Sequence, residues 1–187
     1  MSGRVRLTMK SELGEIELEV DAARAPITAS NFLYYVDNDF YDGGRFWRTV
    51  TPHNQAVSDV PIEVIQGGVN PDRVDEIGEP ISLERTSITG LSHVDGAISM
   101  GRFAPDSAHS EFFICIGDQP ELNYGGSRNP DGQGFAAFGC VLSGMDVVRR
   151  IQRSAHEGQL LTPAVKILEI RRSVKYVNAT IACESNQ

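Results

Sequence analysis

The chain contains no apolar run approaching the ~20 residues needed to cross a bilayer as a helix, so no membrane-spanning helix is expected anywhere in its 187 residues. It is also short of positive charge. Seventeen Lys and Arg stand against 25 Asp and Glu, giving a formal net charge of −8 and a pI near 5.0. Nucleic acid and anionic membrane surfaces both select for basic patches, so neither is expected as a partner. Cysteine is scarce as well: Cys115, Cys140 and Cys183 are odd in number and form no CxxC. Cys115 and Cys140 lie in apolar, strand-like runs and read as buried reduced thiols, which fits a reducing cytoplasm. The opening stretch MSGRVRLTMKSELGEIELEV alternates from Val5 onward and lacks the apolar centre of a signal peptide. His53, His93, His109 and His156 fall in loops with neither ligand spacing nor a nucleophile beside them. They read as surface residues, and no metal or cofactor is expected.

What remains is a chain of ordinary globular composition, 41% hydrophobic and 22% charged, long enough for one domain with a real core. Residues 1–173 read as that domain and 174–187 as a tail without pattern. Val5, Leu7 and Met9, then Ile16, Leu18 and Val20, alternate with polar residues around Ser11-Glu12-Leu13-Gly14, the signature of a hairpin with one buried face. Glu15, Glu17 and Glu19 then form its wet face. Ala29, Phe32, Leu33, Val36 and Phe40 recur at helical spacing, so Thr28–Asp39 reads as a helix capped by Thr28 or Ser30. Arg45–Val50 alternates again, which would put Phe46 and Arg48 on one face and Trp47 on the other. Further strands are expected at Ile62–Gly68, Ala97–Met100, Phe112–Ile116, Phe135–Val141 and Val165–Arg172, with a second helix over Gly144–Ser154. Val69–Leu91 reads as a long surface excursion. Asn123–Gly134 is a turn-rich loop with neither the Gly-Lys-Ser/Thr end of a phosphate loop nor spaced calcium ligands.

Eight strands, two helices, no internal repeat and no regular βαβ alternation argue for antiparallel sheet. Eight such strands can close on themselves and remove their exposed edges.

The most distinctive stretch is Ser92–Leu122, SHVDGAISMGRFAPDSAHSEFFICIGDQPEL. Together with FWR, IQGG, FAAFG and GMDVV, in this order from about Val5 to Arg172, it resembles the cyclophilin-type peptidyl-prolyl cis-trans isomerases in a divergent, bacterial-like form. The resemblance implies an all-β fold: a closed eight-stranded antiparallel β-barrel capped by two α-helices. It implies an external groove for a proline-containing polypeptide, and a monomer. Residue by residue, it places the catalytic arginine at Arg48, the groove glutamine at Gln66, and walls of the proline pocket at Phe113 and Leu122. Val64, Gly101, Arg102, Glu111 and Phe135 occupy further substrate-binding positions, each differing from the family's usual residue. Trp47 replaces a histidine, and Glu121 replaces a tryptophan.

Arginine suits this chemistry. Rotation about an X–Pro bond crosses a barrier of ~20 kcal/mol without making or breaking a bond to carbon. Twisting the amide frees a lone pair on the prolyl nitrogen, and a guanidinium beside that nitrogen stabilises the twisted state over the planar one. The resemblance thus implies an isomerase assisting protein folding. The alternative is a catalytically weak or inactive cyclophilin-like module that binds proline peptides.

Overall fold

Alternation in the sequence becomes one sheet, with nine strands among the described residues: β1 (Arg4–Ser11), β2 (Gly14–Asp21), β3 (Arg45–Val50), β4 (Val64–Gly68), β5 (Ala97–Met100), β6 (Phe112–Cys115), β7 (Ala137–Ser143), β8 (His156–Glu157) and β9 (Leu160–Arg172). The computed structural model describes residues 3–55 and 58–173; the tail at 174–187 lies outside the described residues. The strand order is β1-β2-β7-β5-β6-β4-β3-β9, and a further β1–β9 pairing returns to the start. All these pairings are antiparallel. Eight strands therefore close into a barrel, and the two-residue β8 only extends β9.

Among the described residues three α-helices accompany the barrel, one more than the two expected. α1 (Pro26–Asp37) and α3 (Met145–Gln152) are the anticipated pair, and α2 (Thr86–Thr89) is a single turn. No helix among the described residues is long and apolar enough to cross a membrane. α1 starts earlier than its sequence pattern suggests, with Pro26 in the first turn, where the missing N–H costs nothing. Neither Thr28 nor Ser30 caps it. The Glu84 carboxylate, 56 residues away, accepts from the Ile27 and Thr28 backbone N–H groups at 3.1 and 2.7 Å and from the Thr28 hydroxyl at 2.7 Å. A carboxylate at a helix N-terminus is favoured by both hydrogen bonding and dipole. The long excursion between β4 and β5 thus helps to build the first helix. It is also tied down by the bridge Ile81↔Ala108.

β9 begins at Leu160, five residues before the expected Val165. Pro163 argues against a strand there, because it cannot donate to a ladder. The structure accommodates it where β9 leaves its register with β3, which jumps from Arg48↔Leu160 to Phe46↔Val165.

Two hydrophobic clusters follow from closure. The larger fills the barrel and takes in the apolar sides of α1 and α3, with Phe32, Phe46, Phe112, Phe138, Val148 and Ile151 all fully buried. Phe112 meets Phe32, Tyr41 and Phe46 edge-on, at ring separations of 5.5, 5.5 and 5.8 Å, the favoured aromatic geometry. The smaller cluster comprises Val50, Ile62, Val64, Ala97, Phe113, Cys115 and Leu122, with Phe135 packed against it. It lies on the other side of the same strands, because neighbours such as Phe112 and Phe113 point to opposite faces. Truncation of Phe112 to alanine should cost about 3–5 kcal/mol of stability, read from urea unfolding. A loss below about 1 kcal/mol would mean that the ring does not hold this core together.

Candidate active site

The smaller cluster forms the floor of a groove of about 770 Å³ on the barrel's outer surface. All nine residues singled out in the sequence line it: Arg48, Val64, Gln66, Gly101, Arg102, Glu111, Phe113, Leu122 and Phe135. Adjacent strands β3, β4 and β6 bring the polar members together. The pairings are Arg48↔Gln66 between β3 and β4, then Gln66↔Phe113 between β4 and β6.

Arg48 reaches the groove through a bulge. The β3–β4 register runs from Phe46↔Gly67 directly to Arg48↔Gln66, leaving Trp47 as an extra residue. A bulge interrupts the two-residue alternation, so Phe46 and Arg48 do not share a face. Phe46 is fully buried in the barrel, while Trp47 and Arg48 both line the groove.

Among the described residues the Arg48 guanidinium is held by two glutamine side chains and no carboxylate. Its Nε–H and one Nη2–H donate to Gln159 Oε1 at 2.9 and 2.6 Å, and one Nη1–H donates to Gln66 Oε1 at 2.9 Å. A guanidinium carries five N–H donors, so two remain for the groove. Burial, then the positive charge of Arg128, lowers the Arg48 pKa, but an arginine remains charged at any physiological pH.

Gln66 continues the chain, donating through Nε2 to Glu111 Oε2 at 3.3 Å, where Trp47 Nε1–H also donates at 2.7 Å. Burial raises the Glu111 pKa, opposed by these two bonds and by Arg45. Its carboxyl lies against Gly68, where any Cβ would collide with Oε1. A side chain at position 68 would therefore displace the Glu111 carboxylate.

Phe113 packs against Phe135 at 5.4 Å with rings perpendicular, and beside Leu122, Val64 and Ile62 these form an apolar pocket next to Arg48. Arg102 lines the groove with its guanidinium already committed. It donates to both Asp131 oxygens at 2.8 and 3.0 Å and to Gly134 O at 2.8 and 2.6 Å, with Cζ 5.0 Å over the Phe135 ring. It therefore fixes the 123–134 loop and, through it, Phe135.

A family model for cyclophilin type peptidyl-prolyl cis-trans isomerase/CLD matches residues 4–172. The chain belongs to the cyclophilin family. It is 39% identical over 144 residues to a peptidyl-prolyl cis-trans isomerase of Acinetobacter baylyi, covering 76% of this chain and 69% of that one. It is 35% identical over 145 residues to the peptidyl-prolyl cis-trans isomerase cyp18 of Streptomyces antibioticus, covering 77% and 81%. The solved fold of a Cryptosporidium parvum cyclophilin type peptidyl-prolyl cis-trans isomerase superposes with a TM-score of 0.73 at 18% identity, covering 91% of this chain and 98% of that one.

Several members of this cyclophilin's groove are not evident from its sequence. Gln159 stands at the β8–β9 turn, where Nε2 donates to Asn54 O at 3.1 Å, and nothing in the pattern around Glu157-Gly158-Gln159 indicates a reach to Arg48. Ile62, Phe103 and Arg128 also line the groove. Arg128 Nη1 bonds Ser58 Oγ at 2.6 Å and Val60 O at 2.7 Å. Glu121 turns instead to the Ser127 backbone N–H at 2.8 Å.

His93 is the clearest correction. Expected at the surface, it is 1% exposed and stacks behind Phe113, with ring centres 5.9 Å apart and planes at 13°. Asn123 Oδ1 can only accept, so His93 Nδ1 carries the proton across that 2.7 Å bond, and Nε2 accepts from Ser99 Oγ at 2.9 Å. Burial keeps the ring neutral near pH 7, and Nε2 is then the acceptor towards Ser99. Burial, against the Asn123 bond, lowers the His93 pKa to about 4. An unfolded histidine titrates near 6.5, so the unfolded chain binds the proton first as the solution is acidified. This contribution to stability is complete above about pH 6.5 and is lost as pH falls towards 4, to a limit of about 3 kcal/mol. Urea unfolding between pH 7 and 5 should show that slope in the wild type and a flatter one in His93→Gln. Equal slopes would contradict the assignment.

Proposed function

We propose that this chain catalyses cis–trans isomerisation of X–Pro bonds in polypeptides, with Arg48 as the catalytic residue. The observation that carries this reading is a charged guanidinium, free of carboxylate partners among the described residues and with two unused N–H donors, beside an apolar pocket. Membership of the cyclophilin family supports the same activity.

The pyrrolidine ring sits against Phe113, Leu122 and Phe135, with Val64 and Ile62 beneath it. The residue before proline rotates while the ring stays fixed. As the amide twists and loses resonance, the prolyl nitrogen becomes an acceptor for an Arg48 N–H. The planar amide offers no such lone pair, so the interaction favours the transition state alone. Gln66 and Gln159 orient the guanidinium before substrate arrives, so little reorganisation is needed during the reaction. Gly101, Arg102 and Glu111 line the path of the flanking peptide. We assign the activity to folding assistance by a monomer in a reducing cytoplasm; the compartment is read from the free, buried Cys115 thiol, whose pKa burial raises strongly.

One charge-assisted hydrogen bond is worth about 1.5–3 kcal/mol, so Arg48→Ala should lower kcat/KM about ten- to hundredfold. Lysine lacks the planar fork and should restore only part of the loss. Exchange of an Ala-Pro peptide followed by NMR reads these rates, and equal rates for wild type and Arg48→Ala would overturn the mechanism. Peptide binding without any rate enhancement by the wild type would favour a binding module instead.

Gln159 is a positioning residue, acting through Arg48. Its replacement by alanine removes two of the three hydrogen bonds that hold the guanidinium. It should lower kcat about three- to tenfold while changing KM by less than about twofold. A change confined to KM would place Gln159 in substrate binding.

A further inference from the structure

Glu111 is the only carboxylate among the described residues that line the groove. Its two oxygens differ. Oε2 accepts from Trp47 Nε1–H and Gln66 Nε2–H. Oε1 has no hydrogen-bond partner among the described residues, and it is not sealed from solvent, since no buried side-chain oxygen there lacks a partner. Nor does any cation of the groove neutralise it. Arg102 is paired with Asp131, Arg128 is bonded to Ser58 and Val60, and Arg48 is bonded to two glutamines.

Oε1 rests against the Gly68 backbone, and the Glu111 side chain carries no covering side chain on its Gly101 side. Gly101 donates its backbone N–H to Glu111 O at 2.8 Å, and a side chain at position 101 would cover the Glu111 Cβ. Beyond Gly101 stands Phe103, which lines the same groove and is fully exposed. A single exposed phenylalanine is ordinary on a protein surface, but the loop that carries this one is not loose. Ser107 Oγ accepts from the Phe103 and Ala104 N–H groups at 3.1 and 2.9 Å and donates to Ala104 O at 2.8 Å. The aromatic ring is thus presented at the rim by a closed turn.

We propose that Glu111 and Phe103 form a specificity subsite for a lysine or arginine side chain within two residues of the substrate proline. This rests on the isomerase reading above and names the class of segment it acts on. Geometry sets the reach. Glu111 and Phe113 are two residues apart on one face, about 6–7 Å, so a substrate whose proline rests on Phe113 brings a near neighbour over Glu111. Chemistry sets the identity. Lysine and arginine combine an apolar stem with a cationic head. The stem and charge suit the Phe103 ring, and the head meets the unpartnered Oε1. Arg48 and Glu111 are joined through the Gln66 amide, which accepts from one and donates to the other, so the groove carries opposite charges on either side of that glutamine. An acidic side chain over Glu111 is repelled.

Three peptides that differ only beside the proline, bearing Lys, Ala or Glu and scanned over two positions on either side, provide the test. NMR exchange should give a Lys-to-Glu ratio of kcat/KM of about tenfold at the best position, the size of one part-buried charge pair. Glu111→Gln keeps the shape and removes the charge, and should bring the ratio below about twofold. The wild-type ratio should also shrink between about 0.05 and 0.5 M salt, as screening requires. Phe103→Ala, at an exposed position that the fold does not depend on, should lower the ratio about threefold. A ratio near one in the wild type, or one that survives Glu111→Gln, overturns the subsite and leaves the isomerase reading intact. Absence of turnover on all three peptides overturns the isomerase reading. Lys-over-Glu selectivity is then read as peptide affinity by titration: its loss in Glu111→Gln supports the subsite, and its absence in the wild type or its survival in Glu111→Gln overturns it.

Discussion

Closure of the sheet through β1 and β9 is the constraint on which the rest depends. A closed sheet has an inside and an outside, and each residue of an unbroken strand is assigned to one or the other by its parity. β6 shows the result most simply. Phe112 enters the barrel, where it meets three aromatic rings. Phe113 leaves it and becomes a wall of the groove. The structural core and the groove are therefore two faces of the same strands, and a slip of one residue would exchange them.

At β3 that rule is broken, and the break serves the site. Strict alternation would bury Arg48 beside Phe46 in an apolar interior, where an unpaired guanidinium is very costly. The bulge at Trp47 turns both Trp47 and Arg48 outward. From there a continuous polar chain runs Gln159–Arg48–Gln66–Glu111–Trp47. Each glutamine offers its carbonyl to the guanidinium and its amide elsewhere. The Arg48 charge is thus oriented without being neutralised, which a carboxylate partner would have done.

Beneath the groove lies a second polar system, Asn123–His93–Ser99, joined by hydrogen bonds around a histidine hidden from solvent. It supports Phe113 from behind, while Arg102 supports Phe135 by pinning the loop to Asp131 and Gly134. Both pocket aromatics therefore rest on polar anchors that draw on residues outside the strands. The long segments without sequence periodicity have structural roles of this kind, as Glu84 does for α1.

By itself the sequence determined the strands, since period-two alternation is a local property, and it determined the family, since FWR, IQGG, GAISMGR and SEFFI keep their order whatever the distances between them. It also named nine groove residues, because their positions follow from the order of the family's motifs. Tertiary structure alone decided the partners of long side chains. Gln159 meets Arg48 across 111 residues of chain, and Glu84 caps α1 across 56, contacts that no local pattern encodes. His93 was hidden for the same reason: a loop histidine has no periodicity, and only closure of β5 and the Leu122–Asn123 turn over it makes it buried. Parity itself failed at Phe46 and Arg48, where one extra residue in a bulge reverses the face, and a bulge becomes visible only when the partner strand is in place.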